Sequence, residues 1–251
     1  MTKTNVPSVQ GASSQRLVGR KILITGASSG IGRATARLFM EEGAQVILLD
    51  RNREGLGATL GDGNGFCVEV DITDSNAVVQ AIDDVAGASG GLDGVVNAAG
   101  IMLTGPTEEM SVETWERTIG VNLSGSFFVV KACIPWLKQR EGSTIVNIAS
   151  GAGLLPNTPG LAAYAASKGG IIALTKALAS DLAPHIRTNC VCPGMVDTPM
   201  AEGFRANVGN YALKRIADPN EIARAILFLT TAESSYVTGA ALAVDGGRTF
   251  H

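Results

Sequence analysis

Histidine is nearly absent from this 251-residue chain, which has only His185 and His251. The four cysteines (Cys67, Cys133, Cys190, Cys192) are scattered, with no C-x-x-C pair and no histidine cluster near them. A zinc site needs such clusters, no metal is expected, and the thiols read as reduced and buried in a cytoplasmic protein. Neither sign of charge dominates. Twenty basic residues face 23 acidic ones, for a net charge of −3, which gives no basic footprint for nucleic acid. No apolar run approaches the ~18 residues that mark a membrane span. Residues 1–16 are polar and small, without the apolar core of a secretory signal, and are expected to form a disordered tail. No nucleic acid and no membrane is expected as a partner.

Glycine is in excess. There are 31, where an average composition would supply about 18. They follow no period and come with only 9 prolines, which excludes collagen-like sequence and argues against a low-complexity chain. Hydrophobic residues make up 45% of the chain and charged residues 17%, the balance of a folded protein with a large core.

Short β-branched runs alternate with longer helix-like stretches. Strands are predicted at Arg20–Thr25, Gln45–Asp50, Phe66–Val70, Gly91–Asn97, Ser143–Ala149, Arg187–Cys192 and Ala240–Val244. Helices are predicted over Gly30–Glu42, from a cap at Asp74 to about Ala86, then over Ser111–Arg140, Leu161–Ala183 and Asn220–Thr231. The strands read as continuous apolar runs, the mark of burial on both faces. Parallel strands need helical crossovers. The expectation is one α/β domain over residues 17–251, a doubly wound parallel sheet of about seven strands with helices on both faces. Ligands bind such sheets at the carboxyl ends of the strands, so function is read from the residues just after each strand.

After the first strand comes Thr25-Gly26-Ala27-Ser28-Ser29-Gly30-Ile31-Gly32. Glycine allows a tight turn and close approach to a pyrophosphate, and a helix opening there points its free amides at the phosphates. The run lacks the Gly-Lys-Ser/Thr ending of a P-loop. Asp50 ends the second strand, where a carboxylate accepts from ribose hydroxyls and repels a 2′-phosphate. NAD is therefore favoured over NADP, although the adjacent Arg51 is able to pair with that phosphate. Asp71-Ile72 and Asn97-Ala98-Ala99-Gly100 follow the third and fourth strands, where adenine and ribose would rest.

Tyr164 and Lys168 fall at i, i+4 on one helix face. A free tyrosine has a pKa near 10, and an adjacent ammonium would favour its phenolate. Ser150 follows the fifth strand, and Asn122 interrupts the long helix with an amide that propensity does not explain. Together these residues resemble the short-chain dehydrogenase/reductase family. The matching features are Thr25–Gly32, Asn97–Gly100, Asn122, Ser150, Tyr164, Lys168, Pro193-Gly194, Thr198 and Asp245-Gly246-Gly247, from about Leu17 onward.

The resemblance implies a Rossmann fold and hydride transfer between NAD(H) and a secondary alcohol or its ketone. Tyr164 would be the acid/base and Lys168 would hold the nicotinamide ribose. Ser150 would polarise the carbonyl, and Asn122 would hold a water linking Lys168 to solvent. The cofactor would contact Gly26, Ser28, Ser29, Gly30, Ile31, Gly32, Asp50, Arg51, Asp71, Ile72, Asn97, Ala99 and Gly100. Tyr164, Lys168, Pro193, Gly194, Val196 and Thr198 would complete that contact. A homotetramer is implied, pairing the two long helices between subunits.

Three features depart from the family pattern. The Ser150–Tyr164 spacing is one residue longer than is common, with Pro156-Asn157-Thr158-Pro159 in the loop. An alanine stands where the fourth-strand motif often has a second asparagine. The substrate lid, about Pro199–Pro219, is short, and carries Met200, Phe204, Val208, Tyr211 and Leu213, with Gly203 and Gly209 placed to permit its closure. Two alternatives stand beside the leading reading: an NADP-dependent ketoreductase, for instance of 3-oxoacyl thioesters, and a non-catalytic dinucleotide sensor or scaffold. The glycines at 55, 57, 61, 63, 65, 87, 90, 91 and 94 read as permissive loop sequence remote from the chemistry.

Overall fold

A computed structural model describes residues 15–249. Its strands are β1 (Lys21–Thr25), β2 (Gln45–Asp50), β3 (Gly65–Glu69), β4 (Gly94–Asn97), β5 (Ser143–Ile148), β6 (Ile186–Pro193) and β7 (Ala241–Val244). They form one sheet in the order β3-β2-β1-β4-β5-β6-β7, parallel at every step. The helices are α1 (Gly30–Glu41), α2 (Arg53–Leu60), α3 (Ser75–Ser89), α4 (Val112–Ile119), α5 (Ser126–Leu137), α6 (Gly151–Leu154), α7 (Ala162–Leu182) and α8 (Pro219–Thr230).

Alternate residues of each strand feed opposite cores, as the two-residue period of a strand requires. Leu23, Ile47, Val95 and Ile145 pack with Ile82, Val130 and Leu178 from α3, α5 and α7. Ile22, Ile24, Val46, Leu48 and Val146 pack with Phe39 of α1 and Ile226 of α8 on the other face. This is the doubly wound sheet that the sequence predicts. Because β1 lies between β2 and β4, the connections leaving β1 and β4 diverge and open a crevice at the strands' carboxyl ends.

Four details differ from the sequence reading. The glycine-rich stretch after β2 holds a helix, α2, whose N-cap Asn52 accepts from the Gly55 amide at 2.9 Å. Three of its glycines are tightly packed: a Cβ on Gly55 would lie 2.7 Å from the Ser28 side chain, one on Gly63 would lie 2.3 Å from the Met40 sulfur, and one on Gly65 would lie 2.2 Å from the Val46 carbonyl oxygen. Gly57, Gly61 and Gly87 do stand in open space. Second, β4 starts at Gly94, not Gly91, because Asp93 is first tied to Lys21 through both backbone and side chain.

Third, the helix predicted over Ser111–Arg140 is α4 and α5 joined by a π-helical segment, Gly120–Gly125, and it ends at Leu137. By length and composition this stretch is apolar enough to cross a membrane, although Glu113, Glu116, Arg117 and Lys131 interrupt its apolar run. It packs inside the domain instead, with Val129, Val130, Cys133 and Leu137 in the core. Fourth, Arg16 belongs with the domain and not with the tail. Its guanidinium lies 2.7 Å from Glu42, and its backbone amide donates to the same carboxylate at 3.0 Å. Gln15 is also described, its carbonyl accepting from the Val18 amide at 3.4 Å, and residues 1–14 of the predicted tail lie outside the described residues.

Candidate active site

Thr25 closes β1, and its hydroxyl accepts from the amides of Ala98 and Ala99, each at 3.1 Å. This pins the turn after β1 to the segment after β4. Gly26 has φ +64°, and a Cβ there would lie 2.7 Å from Ala99. A Cβ on Gly32 would lie 2.2 Å from the Gly26 carbonyl oxygen. Only glycine lets the turn tuck beneath the first turn of α1. Ser29 is the N-cap of α1, yet its hydroxyl caps nothing, and no acidic residue lies in that first turn. The free amides and positive dipole end of α1 are therefore left to face an external anion.

They border a cavity of about 370 Å³, lined by Gly26, Ser28 to Gly32, Asp50, Arg51, Asp71, Ile72, Ala99 and Gly100. Asp50 stands at its edge and accepts from the Ser28 amide at 3.2 Å and the Asn52 amide at 3.0 Å. Arg51 is turned onto Asp71 at 3.5 Å, with both side chains largely exposed.

A second cavity, about 560 Å³, shares Ile31, Ala98, Gly100, Thr198 and Met200 with the first, so the two form one cleft. Ser150, Tyr164 and Lys168 line it with Pro193, Gly194 and Val196. Ser150 leaves β5 in extended conformation and caps α6, accepting from the Ala152 amide at 3.1 Å. Tyr164 and Lys168 lie one turn apart on α7, with Nζ 5.8 Å from the ring centroid. Lys168 is 4% exposed and donates to the Ile148 carbonyl at 2.7 Å. Burial lowers its pKa to about 8. Burial also pushes the Tyr164 phenol upward, while a hydrogen bond with Ser150 works the other way. Burial outweighs that bond, so in the protein alone the phenol lies above its ordinary value.

Two predicted residues have roles unlike those expected. Asn122 sits in the π segment, fully buried. Its Oδ1 accepts from the Ile101 amide at 2.8 Å, while Nδ2 donates to the Ile101 carbonyl and the Ser167 hydroxyl, both at 2.9 Å. The side-chain amide is committed to pinning the Ile101 loop to α7. Asn97 is turned inward, donating to Asn147 at 2.9 Å and to the Ser126 carbonyl at 3.3 Å, while Asn147 donates to Thr175 at 2.9 Å. Its side chain makes no wall of the cleft, which is lined by the Ala98–Gly100 segment instead.

Sequence patterns do not single out Ser167, Asn147 or Thr175, although Asn147 is visible as a polar break in an apolar strand. Nor do they single out Arg248, which lines the larger cavity from a chain end with no periodic pattern. In the lid, Pro199–Asn210 forms 3₁₀ turns. Met200, Phe204 and Tyr211 reach the cavity, whereas Leu213 is exposed. Among the described residues no cluster of three or more potential metal ligands occurs.

The family described as "Enoyl-(Acyl carrier protein) reductase" matches residues 26–249. A 3-oxoacyl-[acyl-carrier-protein] reductase of Thermotoga maritima is 43% identical over 244 residues, covering 92% of this chain and 98% of its own. Trans-4-hydroxycyclohexanecarboxylate dehydrogenase of Sinomonas cyclohexanicum is 40% identical over 248 residues, covering 94% and 95%. Among solved structures, a short-chain dehydrogenase/reductase from Brucella melitensis (glucose/ribitol dehydrogenase) superposes with a TM-score of 0.89. It is 36% identical and covers 94% of this chain and 99% of its own.

Proposed function

Because the chain belongs to the short-chain dehydrogenase/reductase family, we propose that it interconverts a secondary alcohol and its ketone using a nicotinamide dinucleotide, with Tyr164 as acid/base. The observation that carries this reading is the convergence of Ser150, Tyr164 and Lys168 on one cavity that opens into the glycine-lined one. The smaller cavity fits a dinucleotide: its uncapped helix end suits a pyrophosphate, and a Cβ at Gly26 or Gly32 would fill the cradle. When bound, the nicotinamide accepts or supplies the hydride.

The chain's own groups handle the proton. In oxidation Tyr164 removes the hydroxyl proton, and in reduction it returns one to the alkoxide oxygen. Ser150 donates to the substrate oxygen as negative charge grows there. Lys168 holds the ribose and, as a cation, favours the phenolate. Asn122 fixes the Ile101 loop through its side-chain amide, which sets the wall beside Gly100 and Lys168. Burial favours the protonated phenol. Oxidation, which needs the phenolate, should therefore accelerate as pH rises above neutrality. Reduction, which needs the phenol, should persist at neutral pH and below.

NAD is the preferred cofactor in this reading, because the Asp50 carboxylate at the cavity edge would repel a 2′-phosphate and Arg51 lies against Asp71. The 3-oxoacyl-[acyl-carrier-protein] reductase relative favours a second reading, an NADP-dependent reductase of 3-oxoacyl thioesters. Val112, Trp115 and Phe127 expose 71%, 43% and 42% of their surface along the α4–α5 stretch, a face suited to pairing between copies in a homotetramer. Sedimentation at the monomer mass would oppose that assembly. A cytoplasmic location accompanies this reading.

Tyr164→Phe is the test. It should keep NADH affinity within about threefold while turnover falls about 10³-fold, within the range for loss of a general acid/base. Full turnover in that variant would remove Tyr164 from proton transfer. Tighter binding of NADPH than NADH would overturn the reading of Asp50.

A further inference from the structure

Among the described residues, those lining the larger cavity include no carboxylate, and only Lys168 and Arg248 carry formal charge. Lys168 is held on the Ile148 carbonyl. Arg248 is held by neutral groups alone. Its guanidinium carbon lies 5.9 Å from the Tyr211 ring centroid, and Nη2 donates to Asn157 Oδ1 and to the Thr158 hydroxyl. The nearby Asp245 carboxylate is taken by the amides of Gly247 and Thr249, each at 3.0 Å, and by the Thr249 hydroxyl at 2.6 Å. Among the described residues Arg248 forms no ion pair.

Three otherwise separate segments converge on this guanidinium. Asn157 and Thr158 belong to the loop that makes the Ser150–Tyr164 segment one residue longer than is common. Tyr211 comes from the lid, and Arg248 follows the last strand. This half-buried guanidinium, oriented by an aromatic face and by two neutral acceptors on Nη2, retains its Nε and Nη1 hydrogens as donors for an anion. Met102, Leu155, Leu161 and Phe204 supply apolar wall in the same cavity.

We propose that Arg248 is a specificity-determining residue that binds a carboxylate on the substrate, making the substrates hydroxy acids and the matching oxo acids. In this arrangement the carboxylate sits at the Arg248 end of the substrate and the reacting carbon at the Tyr164 end, the two groups coming from different segments, the chain end and α7. This rests on the reading of Tyr164 as the acid/base. The Nη1 donors left open meet a carboxylate through charge-assisted N–H···O bonds, and the hydrocarbon between the two ends lies along the apolar wall.

The probes are secondary hydroxy acids graded from 3-hydroxybutanoate to 7-hydroxyoctanoate, with their methyl esters. Wild-type enzyme should prefer the acid of best length over its ester by about 10- to 100-fold in kcat/KM, the scale of a charge-assisted pairing. Arg248→Met should erase that preference through KM while leaving ester turnover within about threefold, and Arg248→Lys should restore part of it. Equal use of acid and ester by wild type would overturn the proposal. So would an Arg248→Met loss shared equally by both, which would mark a purely structural prop.

Direct binding of hexanoate against hexanamide to wild-type protein keeps the proposal testable if the variant does not fold. Tighter hexanoate binding, weakened by salt, supports it, and equal affinities overturn it. Tyr164-dependent turnover without acid preference would sink the Arg248 assignment alone. Selective carboxylate binding without turnover of any alcohol would sink the reaction assignment alone.

Discussion

The two halves of the cleft are built from different materials. The smaller cavity draws on a glycine turn, an uncapped helix end and strand ends, with Asp50, Arg51 and Asp71 as its charged lining. The larger is mostly side chains, carried by the loop after β5, the lid, α7 and the chain end. Backbone recognition suits a ligand shared by many enzymes, because it depends on peptide geometry that many sequences are able to supply. Side-chain recognition suits a ligand that only some enzymes accept. In this chain most of the common half comes from the first hundred or so residues, with Thr198–Met200 added from the lid, and the particular half is assembled from segments about a hundred residues apart.

Gly32→Val should break the backbone half most severely. Its Cβ would meet the Gly26 carbonyl oxygen at 2.2 Å, so the turn must shift. Overpacking of this kind costs about 1–3 kcal/mol or more. Titration should show NADH affinity down at least tenfold, while the far cavity keeps any affinity for hexanoate.

Lys168→Met probes the boundary, since the ammonium lines the larger cavity yet is assigned to the cofactor ribose. Activity should fall about 100-fold or more. Stability should move the other way. Burial lowers the Lys168 pKa from 10.5 to about 8, so below pH 8 the folded state carries a cation whose burial costs about 3 kcal/mol. That penalty fades as pH rises from about 8 toward 10.5, because the unfolded chain binds more protons over this window. Loss of the bond to Ile148 offsets part of the gain. Thermal unfolding at pH 7 should show a midpoint raised by a few degrees, with the advantage shrinking by pH 10. A lower midpoint at pH 7 would mean that the ammonium contributes more than its burial costs.

Gly203→Ala should do least. Open space surrounds Gly203 in the lid, so kcat and KM should change by less than about threefold, as for surface substitutions generally. A larger effect would show that lid closure needs glycine there, and that the side-chain half also depends on backbone freedom.

The same division explains how much of the molecule is legible in its sequence. β1, β2 and β5 are buried on both faces and read as apolar runs, and the turn between β1 and α1 announces itself through glycine spacing. Tyr164 and Lys168 share a helix face, so their pairing follows from periodicity. Asn97 misleads because a polar residue at a strand end looks the same whether it faces a ligand or a buried Asn147. α2 is hidden because Gly55 and Gly57 erase its helical propensity, while its packing on Ser28 depends on a tertiary contact. Arg248 is hidden because its partners, Asn157 and Tyr211, are joined to it only through the fold.

The π segment at Gly120–Gly125 has a mechanical consequence. A π turn takes up roughly one more residue than an α turn, so the side-chain phase of α4 is offset from that of α5 by about 100°. The two helices run on as one rod, yet they are indexed separately. α5 keeps Val129, Val130 and Cys133 in the core, while α4 directs Val112 and Trp115 outward. Asn122 sits at the seam, tied on one side to the Ile101 loop and on the other to Ser167. Substitutions can accumulate on the outward face of α4 without turning the core face of α5 or disturbing the loop beside Gly100.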